Sequence, residues 1–439
     1  MMRYFRQAAV VTALLGACAT VLPAAAEAAG HLPHIGRVST AADGSQADGD
    51  SDAPVVSAGG RHLAFTSRAT NLVPGVRDGR YHLYVKDIRT GATDLVDAAS
   101  DGTPADGESY GNSISGDGRY VAFASRATNL APGRHNTLGP DVYVRDRWTG
   151  RTEILTENRK QEPASSSAPS ISADGRYVAF DSSRRDLVPY DTNDVEDVFV
   201  HDRRSGTTAR ISVRPDGSQS TGPSYRPVIS ADGSRVVFQS IGLGPIDWAN
   251  PQRPRNYGLY AYDMRTRRIQ AAARTYEGAA VEVLSRAGVS PDGRHVFFSS
   301  NSAKVVRGDT NDLADTFAVD LHNGTTQRLS LAPDGTQANG PSFSGAVMSA
   351  DGRHAFFASA ASNLVAGDTN QELDLFAHDL RTGRTERINL AHDGAQADDS
   401  SDDVSVDAAG RIAVFSSRAG NLVPHDTNRV RDVFLRHLR

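Results

Sequence analysis

Apolar residues recur along this chain in clusters of four or five, each introduced by a tight polar turn and followed by a longer polar stretch. "SGDGRYVAFAS" from Ser115, "SADGRYVAFDS" from Ser172 and "SPDGRHVFFSS" from Ser290 are copies of one pattern. Looser copies begin at Ser57, Ser230, Ser349 and Asp407. The turn glycines Gly60, Gly118, Gly175, Gly233, Gly293, Gly352 and Gly410 follow one another at intervals of 57 to 60 residues. Such a period marks a repeat architecture, and seven units account for nearly all of the chain beyond its N-terminus.

Each unit predicts four short strands. In the third copy these are "PSIS" (Pro169 to Ser172), then "RYVAF" after the D-G turn, then "DVFVHD" (Asp197 to Asp202), then "ARISV" (Ala209 to Val213). The second strand sets Val178 and Phe180 against Tyr177 and Ala179, so neither of its faces is polar. A strand apolar on both sides must be covered on both sides. Four-stranded units repeated radially, each sheet packed between two neighbours, make an all-β, seven-bladed β-propeller over residues 34–439. The chain ends in "DVFLRHLR", a third strand with no fourth behind it, while "HIGRVST" (His34 to Thr40) matches the pattern of a fourth strand. The N-terminal strand is therefore expected to pair with the C-terminal blade and close the ring, removing an exposed sheet edge.

The S-x-D-G-R turn, the apolar strand behind it and the "DVFVRD"-like third strand together resemble the WD-type repeat of TolB-like propeller proteins. The resemblance covers about residues 34 to 439. It implies the propeller fold, and for function it implies a role in cell-envelope assembly and macromolecule import. Some TolB-like propellers are polysaccharide lyases or hydrolases with a metal or carboxylates at the central channel, which is the alternative the resemblance leaves open. A fold of this kind does not by itself decide between them.

The first 29 residues read as an export signal: Arg3 and Arg6, an apolar run from Ala8 to Val21, then small residues near Ala26 and Ala28. The run is short and meets Pro23, so no transmembrane span is expected. Secretion to the exterior is one outcome. The other follows from "LGAC", which resembles a lipobox and would place a lipid anchor at Cys18, on the outer face of the membrane. Cys18 is the sole cysteine, so the propeller holds no disulfide. Net charge is −5, which supplies no basic field for nucleic acid. A monomer is expected.

Strand order sorts the loops between two faces. First-to-second and third-to-fourth turns are short and share one face; second-to-third and inter-blade loops are long and share the other. The long-loop face carries "DGDSD" (Asp48 to Asp52) and "DDSSDD" (Asp398 to Asp403), while arginines such as Arg119, Arg147, Arg176, Arg203 and Arg353 sit in the tight turns. One acidic face and one basic rim are expected.

Several side chains are candidates for chemistry. "GESYG" (Gly107 to Gly111) matches the G-x-S-x-G turn of hydrolases, but Ser109 leads into a strand, and Ser51 and Ser224 stand at the same place in other units. The motif requires a helix there, so Ser109 is read as a repeat feature. Four loops share D-x-N-x-x-x-D: Asp191, Asn193 and Asp197; Asp309, Asn311 and Asp315; Asp368, Asn370 and Asp374; Asp426, Asn428 and Asp432. Three oxygen ligands at that spacing could begin a Ca²⁺ site, which needs six to eight oxygens. Asx-turn chemistry is the other reading of the same residues. The fourth unit replaces this loop with "GLGPIDWANPQRPRNYG", where Trp248 is a ligand-contact candidate or a local packing residue. Near-identical blades favour a non-catalytic scaffold that offers its long-loop face to a protein, glycan or wall ligand of the cell envelope or exterior.

Overall fold

The repeated turn explains where each blade begins. In the second blade the Ser115 hydroxyl donates to Asp117 Oδ1 at 2.6 Å and accepts from the Tyr120 N–H at 2.9 Å. Asp117 Oδ1 also accepts from the Arg119 N–H at 2.9 Å, so the aspartate locks the turn locally. Gly118 takes φ +76°, and a Cβ there would lie 2.2 Å from the His62 ring of the first blade. Left-handed backbone and a neighbour in contact leave glycine as the residue that fits.

The computed structural model describes residues 34–133, 139–157, 164–243 and 258–438. The export signal expected over residues 1–29, Cys18 and Trp248 lie outside them. The described residues contain 28 strands in seven four-stranded antiparallel sheets, and no helix. Blade 3 is typical, with strands Ser166–Ile171, Tyr177–Ser182, Asp197–Asp202 and Thr207–Arg210 paired in sequence order. First strands of neighbouring blades touch all the way round, so they line the centre and the fourth strands form the outer edge. This is a seven-bladed propeller.

Ring closure is as the repeat phase requires. Ile35–Arg37 pairs antiparallel with Asp432–His437, with Ile35 opposite Arg436 and Arg37 opposite Phe434. The last blade thus takes three strands from the C-terminus and its fourth from the N-terminus.

The core lies between blades. Second strands are buried on both faces, as in Tyr177–Ser182, where only Tyr177 is partly exposed. In every blade an aromatic of the second strand faces one of the third, from Phe65–Tyr84 through Phe180–Phe199 to Phe415–Phe434, with ring centroids 5.5–6.4 Å apart. Such pairs add roughly 0.5–1.5 kcal/mol each beyond the area they bury.

The first strands carry a regular irregularity. Pairing with the second strand slips between Asp52 and Val55, and at the same place in blades 2, 3, 4, 6 and 7. The extra residue adopts left-handed backbone: Ala53 at φ 50°, Gly111 at 62°, Ala168 at 48°, Arg226 at 56° and Asp403 at 53°. A bulge re-aims side chains at a sheet edge. Here the bulges lie on the innermost strands, toward the long-loop end.

Candidate functional site

Four loops carry the D-x-N-x-x-x-D spacing. Each brings its two aspartates together, and each places an arginine between them. In blade 6 Arg387 Nη1 lies 3.3 Å from Asp368 Oδ1 and 2.8 Å from Asp374 Oδ2, with all three side chains buried. Arg210 joins Asp191 and Asp197 at 2.9 and 3.4 Å, and Arg328 joins Asp309 and Asp315 at 3.2 and 3.4 Å. In blade 7 the arginine is Arg37 of the closing strand, 2.8 Å from Asp426 and 3.3 Å from Asp432.

The remaining loop residues have structural tasks. Asn193 Nδ2 donates to Asp197 Oδ2 at 2.9 Å and to the Ser220 carbonyl at 3.2 Å. The Thr192 N–H donates to Gln219 Oε1 at 3.1 Å, and Gln219 Nε2 donates back to the Thr192 hydroxyl at 2.8 Å. Asp197 Oδ1 accepts from the Ser212 hydroxyl. Burial pushes Asp191, Asp309, Asp368 and Asp426 above the ordinary carboxylate range, and the neighbouring guanidinium pulls each back. The donor set does not fit Ca²⁺: the position between the carboxylates holds a cation of the chain, and the asparagine turns its NH₂ toward the second aspartate. Among the described residues no three His, Cys, Asp or Glu side chains converge as a metal would require.

Blades without the motif lack the arginine as well. Strand register puts Leu95 and Ile154 of blades 1 and 2, and Ala271 of blade 4, where Arg210 stands in blade 3. Blade 1 replaces the cluster with His82, whose ring nitrogens lie 3.0 Å from Asp97 Oδ2 and 3.1 Å from Asp78 Oδ1.

Ser109 is buried in the first strand of blade 2, where its hydroxyl donates to Ser125 Oγ at 3.0 Å. The same serine pair links Ser51 to Ser67, Ser166 to Ser182, Ser224 to Ser240, Ser342 to Ser359 and Ser401 to Ser417. It ties the first strand to the second.

The expected basic rim is largely neutralised by its own blades. Arg61, Arg119, Arg176, Arg294 and Arg353 each reach the aspartate ending the third strand of the same blade, at 2.6–2.7 Å. These hydrogen bonds pull Asp87, Asp146, Asp202 and Asp320 down to about 2. On the other face, Asp48 and Asp398 cap the backbone of neighbouring loops through Thr70 and Gly420. Trp148, which sequence reading passed over, is 66% exposed on the turn face with Arg119 stacked 4.7 Å above it.

The sevenfold pattern breaks most sharply where the bulged first strands reach the long-loop end of the channel. The bulge residue is Ala53, Gly111 and Ala168 in blades 1 to 3, but Arg226 in blade 4, and Asp403 in blade 7. In blade 5 the pattern serine gives way to Leu284, 40% exposed, and Arg286 takes the bulge position. Asp181 and Gln239 occupy second-strand positions filled elsewhere by Thr66, Ala124, Ser299, Ala358 and Ser416.

The exceptions of blades 3 to 5 cluster. A cavity of about 610 Å³ is lined by Asp181, Glu196, Tyr225, Arg226, Gln239 and Leu284. Asp181, itself buried, accepts from the Ser167 hydroxyl at 2.6 Å and from the Arg226 N–H at 2.8 Å. Burial, reinforced by the Asp181 charge, pushes the Glu196 carboxyl up to about 7. Across the channel Arg431 answers Asp52 and Asp402, so the acids of blades 1 and 7 are paired.

No family of known proteins matches the sequence, and no curated protein does either. Solved structures match in shape. An oligogalacturonate lyase in complex with manganese is 13% identical over 94% of both chains, with a TM-score of 0.56. The β-propeller domain of the Trilobed protease from Pyrococcus furiosus, described as having an open velcro topology, is 14% identical over 88% of this chain and 93% of that one, with a TM-score of 0.54. TolB from Acinetobacter baumannii is 15% identical over 82% of this chain and 76% of that one, with a TM-score of 0.39. Identities this low establish the fold alone.

Proposed function

We propose that this protein is a non-catalytic binding propeller of the cell exterior or envelope. It presents its long-loop face to a glycan and seats the ligand at the channel mouth of blades 3 to 5. The observation that carries the reading is the local loss of sevenfold pattern. Where the repeats agree, residues hold blades together: serine pairs, arginine–aspartate clusters, aromatic pairs. Where they disagree, at Asp181, Glu196, Tyr225, Arg226 and Gln239, side chains meet in one cavity. A concave site with an aromatic wall and a few convergent polar groups is the usual form of a small-ligand pocket. The export signal read from the N-terminus supports an exterior location, with secretion and a lipid anchor at Cys18 as its two forms. Among the described residues no helix is long and apolar enough to cross a membrane.

A second reading, cleavage of a polysaccharide, is favoured by the Asp181–Glu196 pair. Glycoside hydrolysis uses two carboxyl groups in different protonation states, and a Glu held near 7 suits the acid. A glycan array probed with the exported protein, beside a screen for polysaccharide degradation, separates the two. Retention of a glycan without new chain ends supports the scaffold, turnover supports the enzyme, and silence in both assays removes the glycan reading.

A further inference from the structure

The cavity at blades 3 to 5 has a chemical bias that narrows its ligand. Glu196 stands just before the third strand of blade 3, half-buried, and its carboxyl makes no hydrogen bond or ion pair among the described residues. Arg431 occupies the equivalent place in blade 7, where it neutralises Asp52 and Asp402. Blade 3 thus has an acid where blade 7 has a base and blades 1, 2, 5 and 6 have the uncharged Tyr81, Pro140, Ala314 and Leu373, next to a second acid, Asp181, that is already committed to Ser167 and the Arg226 backbone. Glu282 adds a third carboxyl at the rim. The charged groups around Glu196 are Asp181 of the neighbouring strand, Arg226 and Glu282 in the same cavity lining, and Arg286 beyond them, within reach of the Asp181 and Arg226 charges. Arg286 is held by the Pro227 carbonyl at 2.9 Å, and the exposed Arg226 side chain makes no ion pair among the described residues.

Apolar surface is present too. The partly buried Tyr225 lines the cavity, Leu284 is 40% exposed, and Gln239, which donates to the Ser285 carbonyl at 2.6 Å, keeps an amide oxygen for a hydroxyl group. Ring face, carboxylates and carboxamide together suit a sugar; the unanswered carboxyl suits a sugar that brings a cation.

The geometry points to an amino-sugar site: a hexosamine unit with a free amine, stacked on Tyr225, its ammonium against Glu196 and its hydroxyl groups on Asp181 and Gln239. This rests on the glycan-binding reading above and names its ligand class. An ammonium held by a carboxylate requires Glu196 to be ionised in the complex. Since burial beside Asp181 keeps the free carboxyl protonated up to about 7, binding below that pH must release a proton.

Calorimetry with the glucosamine tetramer and the N-acetylglucosamine tetramer tests this, run at pH 6 in buffers of different ionisation enthalpy. The amine form binds at least about tenfold tighter than the acetylated form, as expected of a charge-assisted hydrogen bond, and releases close to one proton. Glu196→Gln, which keeps the shape of the neutral acid, abolishes that release and the preference while leaving thermal stability intact. Equal or tighter binding of the acetylated tetramer overturns the proposal, and so does proton release that survives in Glu196→Gln. A lysine tripeptide that binds as well as the amine tetramer overturns the sugar assignment. If neither tetramer binds while the array shows another glycan held at this mouth, the amino-sugar inference falls and the binding reading stands.

Discussion

A guanidinium held between two buried carboxylates, as Arg387 is between Asp368 and Asp374, is costly to unmake. Removing one partner of a buried ion pair leaves the other charge desolvated, at about 3–5 kcal/mol. Arg387→Ala should therefore destabilise the protein by about that amount in urea denaturation. Arg387→Leu combined with Asp368→Val borrows the apolar residues of blade 1, Leu95 and Val76, but leaves the buried Asp374 without its guanidinium where blade 1 has His82, and should recover only part of the loss. A single mutant within 1 kcal/mol of the parent would show the cluster to be idle. The same geometry bears on calcium. With arginine already in place, the melting temperature in millimolar Ca²⁺ should equal that in EGTA, whereas one occupied site at 100 times its dissociation constant would add about 2.7 kcal/mol.

His82 allows a pH prediction. Burial lowers its pKa, but hydrogen bonds and charge from Asp97 and Asp78 outweigh it, and the net direction is upward from 6.5. A histidine raised in the folded state contributes stability that is fully present below the unfolded value and is lost as pH rises through the folded one. The stability difference between the parent and His82→Gln should thus shrink between pH 5.5 and pH 8.5. A difference that grows over that range would refute a protonated His82.

The arginine clusters are legible in the sequence, although the local D-x-N-x-x-x-D spacing shows only the aspartates. "GRV", "ARI", "QRL" and "ERI" stand at the end of the fourth strand in the blades that carry the motif. Leu95, Ile154 and Ala271 stand there in the others. The partners lie 13 residues apart, outside any local motif, and in blade 7 at opposite ends of the chain.

Among the elements, the closing strand is the most exposed to test. Ile35–Arg37 completes blade 7, Ser39 and Arg37 serve the buried Asp432, and Arg37 also pairs with Asp426. Deleting His34 to Thr40 opens a sheet edge and strands two aspartates. The loss should reach about 3–5 kcal/mol from the unpaired charges alone, and be felt in blades 1 and 6 because repeat folds draw stability from neighbour interfaces. Coincident thermal melts for truncated and full-length mature protein would contradict closure by this strand. This element was readable in advance because repeat phase, a count along the sequence, is enough to show a missing fourth strand. The bulges on the first strands were not readable, because Ala53, Ala168 and Arg226 carry no residue-type signature of left-handed backbone beyond the prolines that follow them.

For the whole molecule, the two faces divide the work. Turn-face arginines are answered by acids of their own blade or, for Arg147 and Arg203, of the preceding one, and the exceptions of blades 3 to 5 gather at one sector of the channel mouth. Seven blades could be counted from the sequence, but Asp181, Glu196 and Arg226 come from two blades and meet only when blades 3 and 4 pack together. Contacts between blades of that kind have no local trace. The proposed function requires the ligand to be held at this mouth. The direct measurement compares affinity for an array-positive glycan across the parent, Trp148→Ala, and the double variant Tyr225→Ser, Arg226→Ala. That double variant gives blade 4 the Ser167-Ala168 of blade 3, whose Ala168 already adopts φ 48°, so the fold is expected to be kept. The account predicts a loss of at least about tenfold for the double variant and none for Trp148→Ala, in line with a few central residues carrying most binding energy. Undiminished binding by the double variant, with a loss at Trp148, would place the ligand on the turn face and contradict it.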